Sequence, residues 1–524
     1  MSESQAFISS IYKADISEIY RVLRRTGIFP HKCKDSRGYT ALHIASINSN
    51  YAVMEFLVDY IRRTYGLEAP KILKAWANEK TSDGFLPLHF ASFSGHLRII
   101  KLLIEIGSEL HVKNNQGLTL MHVTAQGDQP LVLAYYRELG LNIDDIDEKG
   151  GTPLHWACYM GCETAASLLL AWGADPSKQD SEGHTPLHLA TTANNTRIIR
   201  NLLLKGSIRN IKDKKGRYPI DIANEGKQKS SIKLLRPIGI FSECGVKPPL
   251  RPPKKSYSSL LVFLLVFIGG NLLKIFIVDE YVGKGLRITY SLLIIFVSIC
   301  FFITWLKDPG YIKPGENESI FHLYEQYETH LICPDCAVYR PARSRHCQTC
   351  NKCVEKFDHH CPWINNCIGA KNIGVFYIFI CSIWISLIFA ISLSLKVLID
   401  PELDAHAFDV ALETSVAFSV ITIIIASAFM MPVTFLVSVQ TKNFWTNRTT
   451  SERFSKPMKS KESASSTVSF LSIDQNGFKN CWEMLCNKGV SSRVSHEFRP
   501  HEDHEISFLD IVKNYEKEYG DSKV

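Results

Sequence analysis

The sequence lacks the pattern of a secretory signal peptide, because its first thirty residues are mixed and polar. We therefore expect the N-terminus to stay in the cytosol. The basic residues are not gathered on one soluble segment, and a net charge of +7 is modest for 524 residues. Both facts argue against a nucleic-acid-binding protein. The long apolar segments contain almost no carboxylates, which argues against a cation channel with a charged pore.

The cysteines are concentrated in one short segment, since seven of the fifteen lie between residues 333 and 367. Three histidines share this segment. The ten side chains are Cys333, Cys336, Cys347, Cys350, Cys353, Cys361, Cys367, His346, His359 and His360. Two tetrahedral zinc ions need eight ligands, so two of the ten are left over. Disulfides are the alternative, but overlapping C-x-x-C pairs beside histidines, in a chain without a signal-peptide pattern, favour zinc.

The run Asp358-His359-His360-Cys361 contains candidate reactive groups. In an extended strand His359 and Cys361 face one side and His360 the other. A neutral imidazole beside a thiol can accept its proton, and the thiolate is the nucleophile. A carboxylate can orient such an imidazole, but simple alternation puts Asp358 on the side of His360, so a bend would be needed. The alternative is that Cys361 is a zinc ligand and His359 is structural.

The segment resembles the DHHC-type protein S-acyltransferases (palmitoyltransferases). The resemblance covers the first C-x-x-C, Arg340-Pro341-x-Arg343, His346-Cys347, Asp358-His-His-Cys-Pro-Trp363, Asn366-Cys367-Ile368-Gly369, Asn372 and Phe376. Two shorter motifs outside the segment also match the family, Asp308-Pro309-Gly310 and Thr449-Thr450-Ser451-Glu452. Asn476-Gly477-Phe478 resembles the short motif in the C-terminal tail of the family.

The resemblance implies a ligand set and a reaction. One structural zinc would take Cys333, Cys336, His346 and Cys353, and the other Cys347, Cys350, His360 and Cys367. Cys361 would then carry the acyl group, with His359 as base and Asp358 as its orienting partner. The co-substrate would be acyl-CoA, mainly palmitoyl-CoA, and the acceptors would be cysteines of other proteins. Arg340, Arg343 and Arg345 are candidates for the CoA phosphates, with bracing of the zinc fold as the alternative.

The first half of the chain is periodic. The motif recurs as Thr40-Ala-Leu-His43, Leu86-Pro-Leu-His89, Thr119-Leu-Met-His122, Thr152-Pro-Leu-His155 and Thr185-Pro-Leu-His188, with Tyr218-Pro-Ile-Asp221 as a degraded sixth copy. All steps after the first are 33 residues, the ankyrin period. The first step is 46, which predicts an insertion near residues 62–78. Residues 5–36 are expected to form a degenerate first repeat, and the motif histidines to tie turn to helix and not to bind metal.

Four apolar segments follow at residues 257–278, 288–306, 374–395 and 414–439, each about as long as a bilayer is thick. The loop 307–373 is rich in Lys and Arg, whereas residues 397–409 contain four carboxylates and no basic residue. The positive-inside rule therefore predicts that both termini and the cysteine-rich loop are cytosolic. Lys274 and Lys396, near helix ends, are expected to snorkel. Ankyrin-bearing members of the family usually have six spans, so four is a departure.

The sequence thus predicts a mostly α fold, with an N-terminal ankyrin-repeat solenoid, a four-helix polytopic membrane domain and a cytosolic zinc-binding loop. The predicted parts are repeats in 1–245, a linker in 246–256, transmembrane helices 1 and 2 in 257–306, the cysteine-rich domain in 307–373, transmembrane helices 3 and 4 in 374–440, and a cytosolic tail in 441–524.

Function and location follow from this organisation. We expect an endomembrane or Golgi S-acyltransferase whose repeats recruit substrate proteins. The alternative is a membrane-anchored ankyrin scaffold with a purely structural zinc module. The tail contains a serine-rich stretch at residues 460–472 that is expected to be disordered. Its last residues, Ser522-Lys523-Val524, fit a PDZ ligand.

Overall fold

A computed structural model describes residues 3–236, 257–277, 283–315, 318–399, 410–454 and 480–481. The chain divides into two compact units, one of residues 1–252 with 317–337 and 498–524, the other of residues 253–316 with 338–497. The predicted linker, the serine-rich stretch, the Asn476-Gly477-Phe478 motif and the PDZ-like end all lie outside the described residues, as does most of the acidic loop.

Short helices in pairs make up the first unit. Numbered along the chain, they are α1 (Glu3–Lys13), α2 (Ile16–Thr26), α3 (Ala41–Ile47), α4 (Tyr51–Tyr65), α5 (Ala69–Ala77), α6 (Pro87–Ser94), α7 (Leu97–Glu105), α8 (Leu120–Gln126), α9 (Pro130–Glu138), α10 (Pro153–Met160), α11 (Glu163–Ala171), α12 (Pro186–Thr192), α13 (Thr196–Leu204), α14 (Pro219–Glu225) and α15 (Lys229–Leu235).

The insertion predicted near residues 62–78 is helical. It lengthens α4 to 15 residues, where the corresponding helix of the next repeat, α7, has 9. A 3₁₀ turn at Gly66–Glu68 then leads into the extra helix α5. Leu73 and Trp76 bury the apolar side of α5, and Trp76 is only 2 % exposed. Because this surface is covered, the extra residues extend the core of the repeats.

The motif histidines join one repeat to the next. Thr40 donates its backbone N–H to His43 Nδ1 at 3.1 Å, so the proton of the neutral ring sits on Nε2. His43 Nε2 then reaches the Phe85 carbonyl oxygen, 3.1 Å away in the next repeat. His122, His155 and His188 make the same two contacts in their own repeats. These contacts agree with the structural role expected for the motif and occupy both ring nitrogens of these four histidines.

The remaining helices and all strands follow. The helices are α16 (Ser258–Phe263), a π-helical turn (Leu264–Gly269), α17 (Gly270–Ile277), α18 (Lys284–Leu306), α19 (Ile320–Gln326, part of the first unit), α20 (Ile373–Ile399), α21 (Val410–Trp445) and α22 (Thr450–Phe454). The strands are β1 (Ile332–Cys333), β2 (Val338–Tyr339), β3 (Arg345–Cys347), β4 (Lys352–Val354), β5 (His359–Cys361) and β6 (Asn366–Ile368), paired in chain order as three two-stranded sheets.

Three helices within the described residues are long and apolar enough to cross a membrane: Lys284–Leu306, Ile373–Ile399 and Thr414–Trp445. They correspond to the second, third and fourth predicted spans. Residues 257–278 were predicted as the first span, but the apolar helix there, Ser258–Leu272, is shorter than the roughly 20 residues that cross the hydrocarbon core of a bilayer. The protein thus has three candidate spans in its described part, and the count of four stays a prediction.

Lys274 does not snorkel. Its side chain is 3 % exposed, and Nζ donates to the Ala390 carbonyl oxygen and to Ser394 Oγ of α20, each at 2.6 Å. Its place near a helix end allows snorkelling, but its ammonium group binds oxygens of α20 instead. An ammonium group removed from water needs such oxygen partners, since burying it without them costs several kcal/mol.

The Asp-Pro-Gly motif connects the end of α18 to the cysteine-rich module. Asp308 Oδ1 accepts the backbone N–H groups of Gly310 and Tyr311, both at 2.9 Å. Gly310 has φ of +103°, a conformation that favours glycine. Gly369 packs against this turn so closely that a Cβ atom would lie 2.7 Å from the Pro309 carbonyl oxygen. The Asp308-Pro309-Gly310 turn and Gly369 of the cysteine-rich segment therefore pack directly against each other.

Buried histidines make the first unit sensitive to acid. Burial lowers the pKa of His43 to about 4 and that of His89 to about 4. An unfolded histidine has a pKa near 6.5, so the unfolded chain binds more protons between these values. Acidification from pH 7 to pH 5 should therefore lower the free energy of unfolding by about 2 kcal/mol for each of these histidines. Urea unfolding of residues 1–236 at the two pH values measures this.

A matched variant assigns the effect to one side chain. In the last repeat Asp221 Oδ2 already takes the place of the histidine and accepts the Tyr218 N–H at 2.8 Å. His43→Asn keeps such an acceptor but cannot titrate. It should reduce the pH dependence by about 2 kcal/mol, and an unchanged pH dependence would contradict the assignment.

Candidate active site

Eight of the ten cysteine and histidine side chains come together in two groups. The first is Cys333, Cys336, His346 and Cys353, and the second is Cys347, Cys350, His360 and Cys367. In each group the ligand atoms all lie within 4.8 Å of one another. These are the two sets that the family resemblance implies.

The donor atoms of the second group fit a tetrahedral metal ion. Cys350 Sγ lies 3.4 Å from His360 Nδ1 and 3.5 Å from Cys367 Sγ. Tetrahedral Zn–S bonds of about 2.3 Å separate two sulfur atoms by about 3.8 Å. Thiolates and imidazole are the ligands that zinc prefers, and four of them leave no open coordination position. The group therefore has the composition and spacing of a structural zinc site.

Strand alternation distributes neighbouring residues between the groups. On β3, His346 lies opposite Cys353 of β4, while the next residue, Cys347, points the other way into the second group. On β5, His360 lies opposite Cys367 of β6. Because side chains alternate along a strand, His360 faces the second group and its two neighbours do not.

Those neighbours, His359 and Cys361, are the two side chains that neither group uses, and they share one face of β5. Cys361 is 7 % exposed and lies in an apolar cluster of the second unit. His359 Nδ1 lies 2.8 Å from Asp358 Oδ2. Asp358 precedes β5, so it is not bound by the alternation of the strand. Asp358 and His359 are therefore in contact, although simple alternation would have separated them.

Asp358 is held by more donors than the sequence suggested. Its side chain is buried, and Thr450 donates to it twice, from the backbone N–H at 2.5 Å and from Oγ1 at 2.9 Å. Gln440 Nε2 of α21 donates to Oδ2 at 2.8 Å. Thr450 belongs to a motif found in the sequence, but Gln440 was missed. It lies inside a long apolar helix, where no local pattern points to a catalytic partner.

The surroundings of Asp358 and His359 favour the charged forms of both side chains. Burial raises the pKa of Asp358, but its hydrogen bonds with His359, Thr450 and Gln440 outweigh burial and lower the pKa. Burial lowers the pKa of His359, but hydrogen bonds with Asp358 and Cys361 outweigh this and raise it to about 9. The imidazole is thus placed to hold a proton taken from the neighbouring thiol.

An open pocket of about 420 Å³ lies beside Asp358 and His359. Its lining residues are Arg345, Phe357, Asp358, His359, His360, Thr450, Ser451 and Phe454. Arg345 is exposed there.

Arg340 and Arg343 differ from Arg345. Arg340 is half-buried. The Arg343 guanidinium is also half-buried and pairs with both carboxylate oxygens of Glu452, with Nε to Oε1 at 2.6 Å and a terminal nitrogen to Oε2 at 3.1 Å. The geometry of Arg343 favours the bracing role that the sequence left open.

The sequence profile of the DHHC palmitoyltransferase family matches residues 326–457. Profiles of ankyrin repeats match residues 10–114, 88–180 and 182–214.

Curated relatives match over short stretches. The chain is 37 % identical over 118 residues to Palmitoyltransferase Hip14 of Drosophila melanogaster, which covers 21 % of this chain and 18 % of that protein. It is 38 % identical over 115 residues to Palmitoyltransferase ZDHHC5 of Homo sapiens, or 20 % and 16 % of the two chains. It is 34 % identical over 149 residues to Palmitoyltransferase akr1 of Emericella nidulans, or 25 % and 20 %. Each match thus spans a fifth or less of the relative.

The region matched by the DHHC profile contains both Cys/His groups, the run from Asp358 to Cys361, and Thr450. The repeat profiles cover the helix pairs whose turn histidines link successive repeats. The chain therefore carries a DHHC palmitoyltransferase domain together with a series of ankyrin repeats.

Proposed function

We propose that the protein transfers a fatty acyl group, mainly palmitoyl, from acyl-CoA to cysteines of substrate proteins through a thioester on Cys361. The observation that carries this proposal is the pair left outside both metal-type groups. Cys361 and His359 face the same side of β5, and Asp358 lies behind the imidazole with Oδ2 2.8 Å from His359 Nδ1. A nucleophile, a base and an orienting carboxylate are the parts that acyl transfer needs.

The proposed reaction has two steps. In the first, His359 takes the proton of the Cys361 thiol, and the thiolate attacks the thioester carbonyl of acyl-CoA. The carbon–sulfur bond to CoA breaks, and the CoA sulfur leaves with the proton from His359. In the second step a substrate cysteine gives its proton to His359 and attacks the Cys361 thioester, which releases Cys361. Asp358 keeps Nδ1 protonated, so that Nε2 serves both steps.

Apolar side chains around Cys361 support an acyl substrate. The cluster that contains Cys361 includes Leu260, Phe301, Phe376 and Phe379, which come from three apolar helices. Each methylene removed from water contributes about 0.8 kcal/mol, so a long chain gains much more there than a short one. At the polar side, exposed Arg345 is the proposed contact for CoA phosphates.

Two structural zinc ions are proposed for the two Cys/His groups. When bound, they would hold the three hairpins together and give the module folding free energy. Six cysteines and two histidines of this chain would bind the two ions. His359 and Cys361 would then remain for the reaction.

Membrane position and substrate selection are parts of the same proposal. Four spans would place both termini and Cys361 in the cytosol, where acyl-CoA is available, on a Golgi or other endomembrane. The ankyrin repeats would recruit substrate proteins, because stacked repeats present a long binding surface. A membrane-anchored scaffold without activity is the alternative outcome of the tests below.

Replacement of the nucleophile is the direct test. Cys361→Ser should form no hydroxylamine-sensitive thioester when the purified protein is incubated with labelled palmitoyl-CoA, because the serine hydroxyl is a far weaker nucleophile. Its zinc content should equal that of wild type, since Cys361 belongs to neither group. Equal thioester label on both proteins would remove Cys361 from the mechanism.

The adjacent histidines should behave differently. His360→Ala should lower the zinc content by about one ion per chain and destabilise the module, because it removes one of four ligands. His359→Ala should keep its zinc and lose thioester formation by about 10²-fold or more. Metal analysis and label, measured on the same samples, distinguish the two. Similar metal loss in both variants would contradict the separation by strand face.

Glycosylation mapping tests the four-span topology. An acceptor site inserted at residue 404 should be glycosylated, because the acidic loop is predicted to lie outside the cytosol. A site inserted at residue 315, in the basic loop, should stay unmodified. The electrophoretic shift after glycosidase treatment measures each, and glycosylation at residue 315 would refute a cytosolic active site.

A further inference from the structure

Arg343 and Glu452 form a two-pronged ion pair that joins two distant parts of the second unit. The guanidinium meets both carboxylate oxygens, at 2.6 and 3.1 Å, and the partners are 109 residues apart in sequence. Their side chains are 20 % and 29 % exposed, so water screens the pair only in part. Such fork-to-fork pairs set orientation as well as energy.

On one side the pair is attached to the active-site run. Arg343 adopts φ of +69°, which turns the chain sharply. Its carbonyl oxygen accepts the backbone N–H of Phe357 at 3.2 Å, one residue before Asp358. The guanidinium also donates to the Asn447 carbonyl oxygen at 2.9 Å. The donors of Arg343 are therefore directed at the protein itself.

On the other side the pair is attached to α22. Glu452 Oε2 accepts the Thr449 N–H at 2.8 Å, and Thr449 Oγ1 accepts the Glu452 N–H at 3.2 Å. This reciprocal cap starts a helix of five residues, which is too short to be stable alone. The next residue, Thr450, supplies two of the hydrogen bonds to Asp358.

We propose that Arg343 and Glu452 form a latch that positions Thr450 against Asp358. Arg343 is then a positioning residue for the reaction, acting through Glu452 and Thr450, and it is not a ligand of CoA phosphates. This inference rests on the proposed function for its kinetic part. Opening the latch frees α22, removes two donors from Asp358, and loosens the carboxylate that orients His359.

A charge exchange tests the latch. Full-length wild type, Arg343→Glu, Glu452→Arg and the double variant are purified in the same detergent. Thioester formation is measured against palmitoyl-CoA concentration, together with zinc content. Arg343→Gln and Arg343→Lys are added because they disturb folding less than a reversed charge. Lys371→Glu is the matched control, since it breaks an exposed ion pair of 3.8 Å with Asp308 in the same module.

Each single variant should lose at least tenfold in the rate at saturating palmitoyl-CoA, with KM changed by less than about twofold, because a loosened orienting group affects the reacting geometry and not substrate binding. The double variant should recover most of the rate, as a pairwise interaction requires. Arg343→Lys should keep only part of the wild-type rate, because an ammonium group cannot donate two parallel hydrogen bonds to one carboxylate. Lys371→Glu should match wild type.

A second readout does not depend on activity. Hydrogen exchange of the segment 449–454 should rise in each single variant and return in the double variant, because the Thr450 amide is bonded to Asp358. Unchanged exchange would overturn the latch. So would a raised KM for palmitoyl-CoA in the Arg343 variants with no recovery in the double variant, which would assign Arg343 to CoA. If wild type forms no thioester, the proposed function fails, while hydrogen exchange still decides the latch.

Discussion

Alternation along very short strands is the constraint on which the cysteine-rich module depends. β3 and β5 have three residues each, yet each sends adjacent side chains to different destinations. His346 and Cys347 go to different Cys/His groups, and His360 separates from His359 and Cys361. A shift of one residue in β5 would exchange the faces, so that the reactive pair would point at the metal-type group. Pairing with β6 sets the register in which His359 and Cys361 face away from the metal-type group.

Burial of the Asp358 carboxylate makes a second demand on the fold. A buried anion needs hydrogen bonds, and here they come from three directions: from His359, from Gln440 of α21, and from Thr450 at the start of α22. The end of the last apolar helix is therefore tied to the module through one side chain. This arrangement explains why a threonine-rich motif far along the sequence belongs with the cysteine-rich segment.

The repeats depend on another shared device. A neutral histidine caps its own helix through Nδ1 and reaches the next repeat through Nε2, so one side chain joins neighbouring units. The same burial that makes this contact lowers the pKa of these histidines. The acid sensitivity expected from this burial comes from the packing between repeats and is separate from any chemistry at Cys361.

Residue type and spacing by themselves determined that ten candidate ligands exceed the eight that two metal ions need, and where the repeats recur; the family resemblance supplied which eight. These features are local, because the ligands lie within 35 residues and each repeat packs against the one that follows it. Only the tertiary structure decided that Gln440 and Thr450 donate to Asp358, that Arg343 pairs with Glu452 and that Lys274 is buried. Those contacts join residues separated by 82 to 120 positions. No local pattern specifies them, because the packing of helices determines which distant side chains meet.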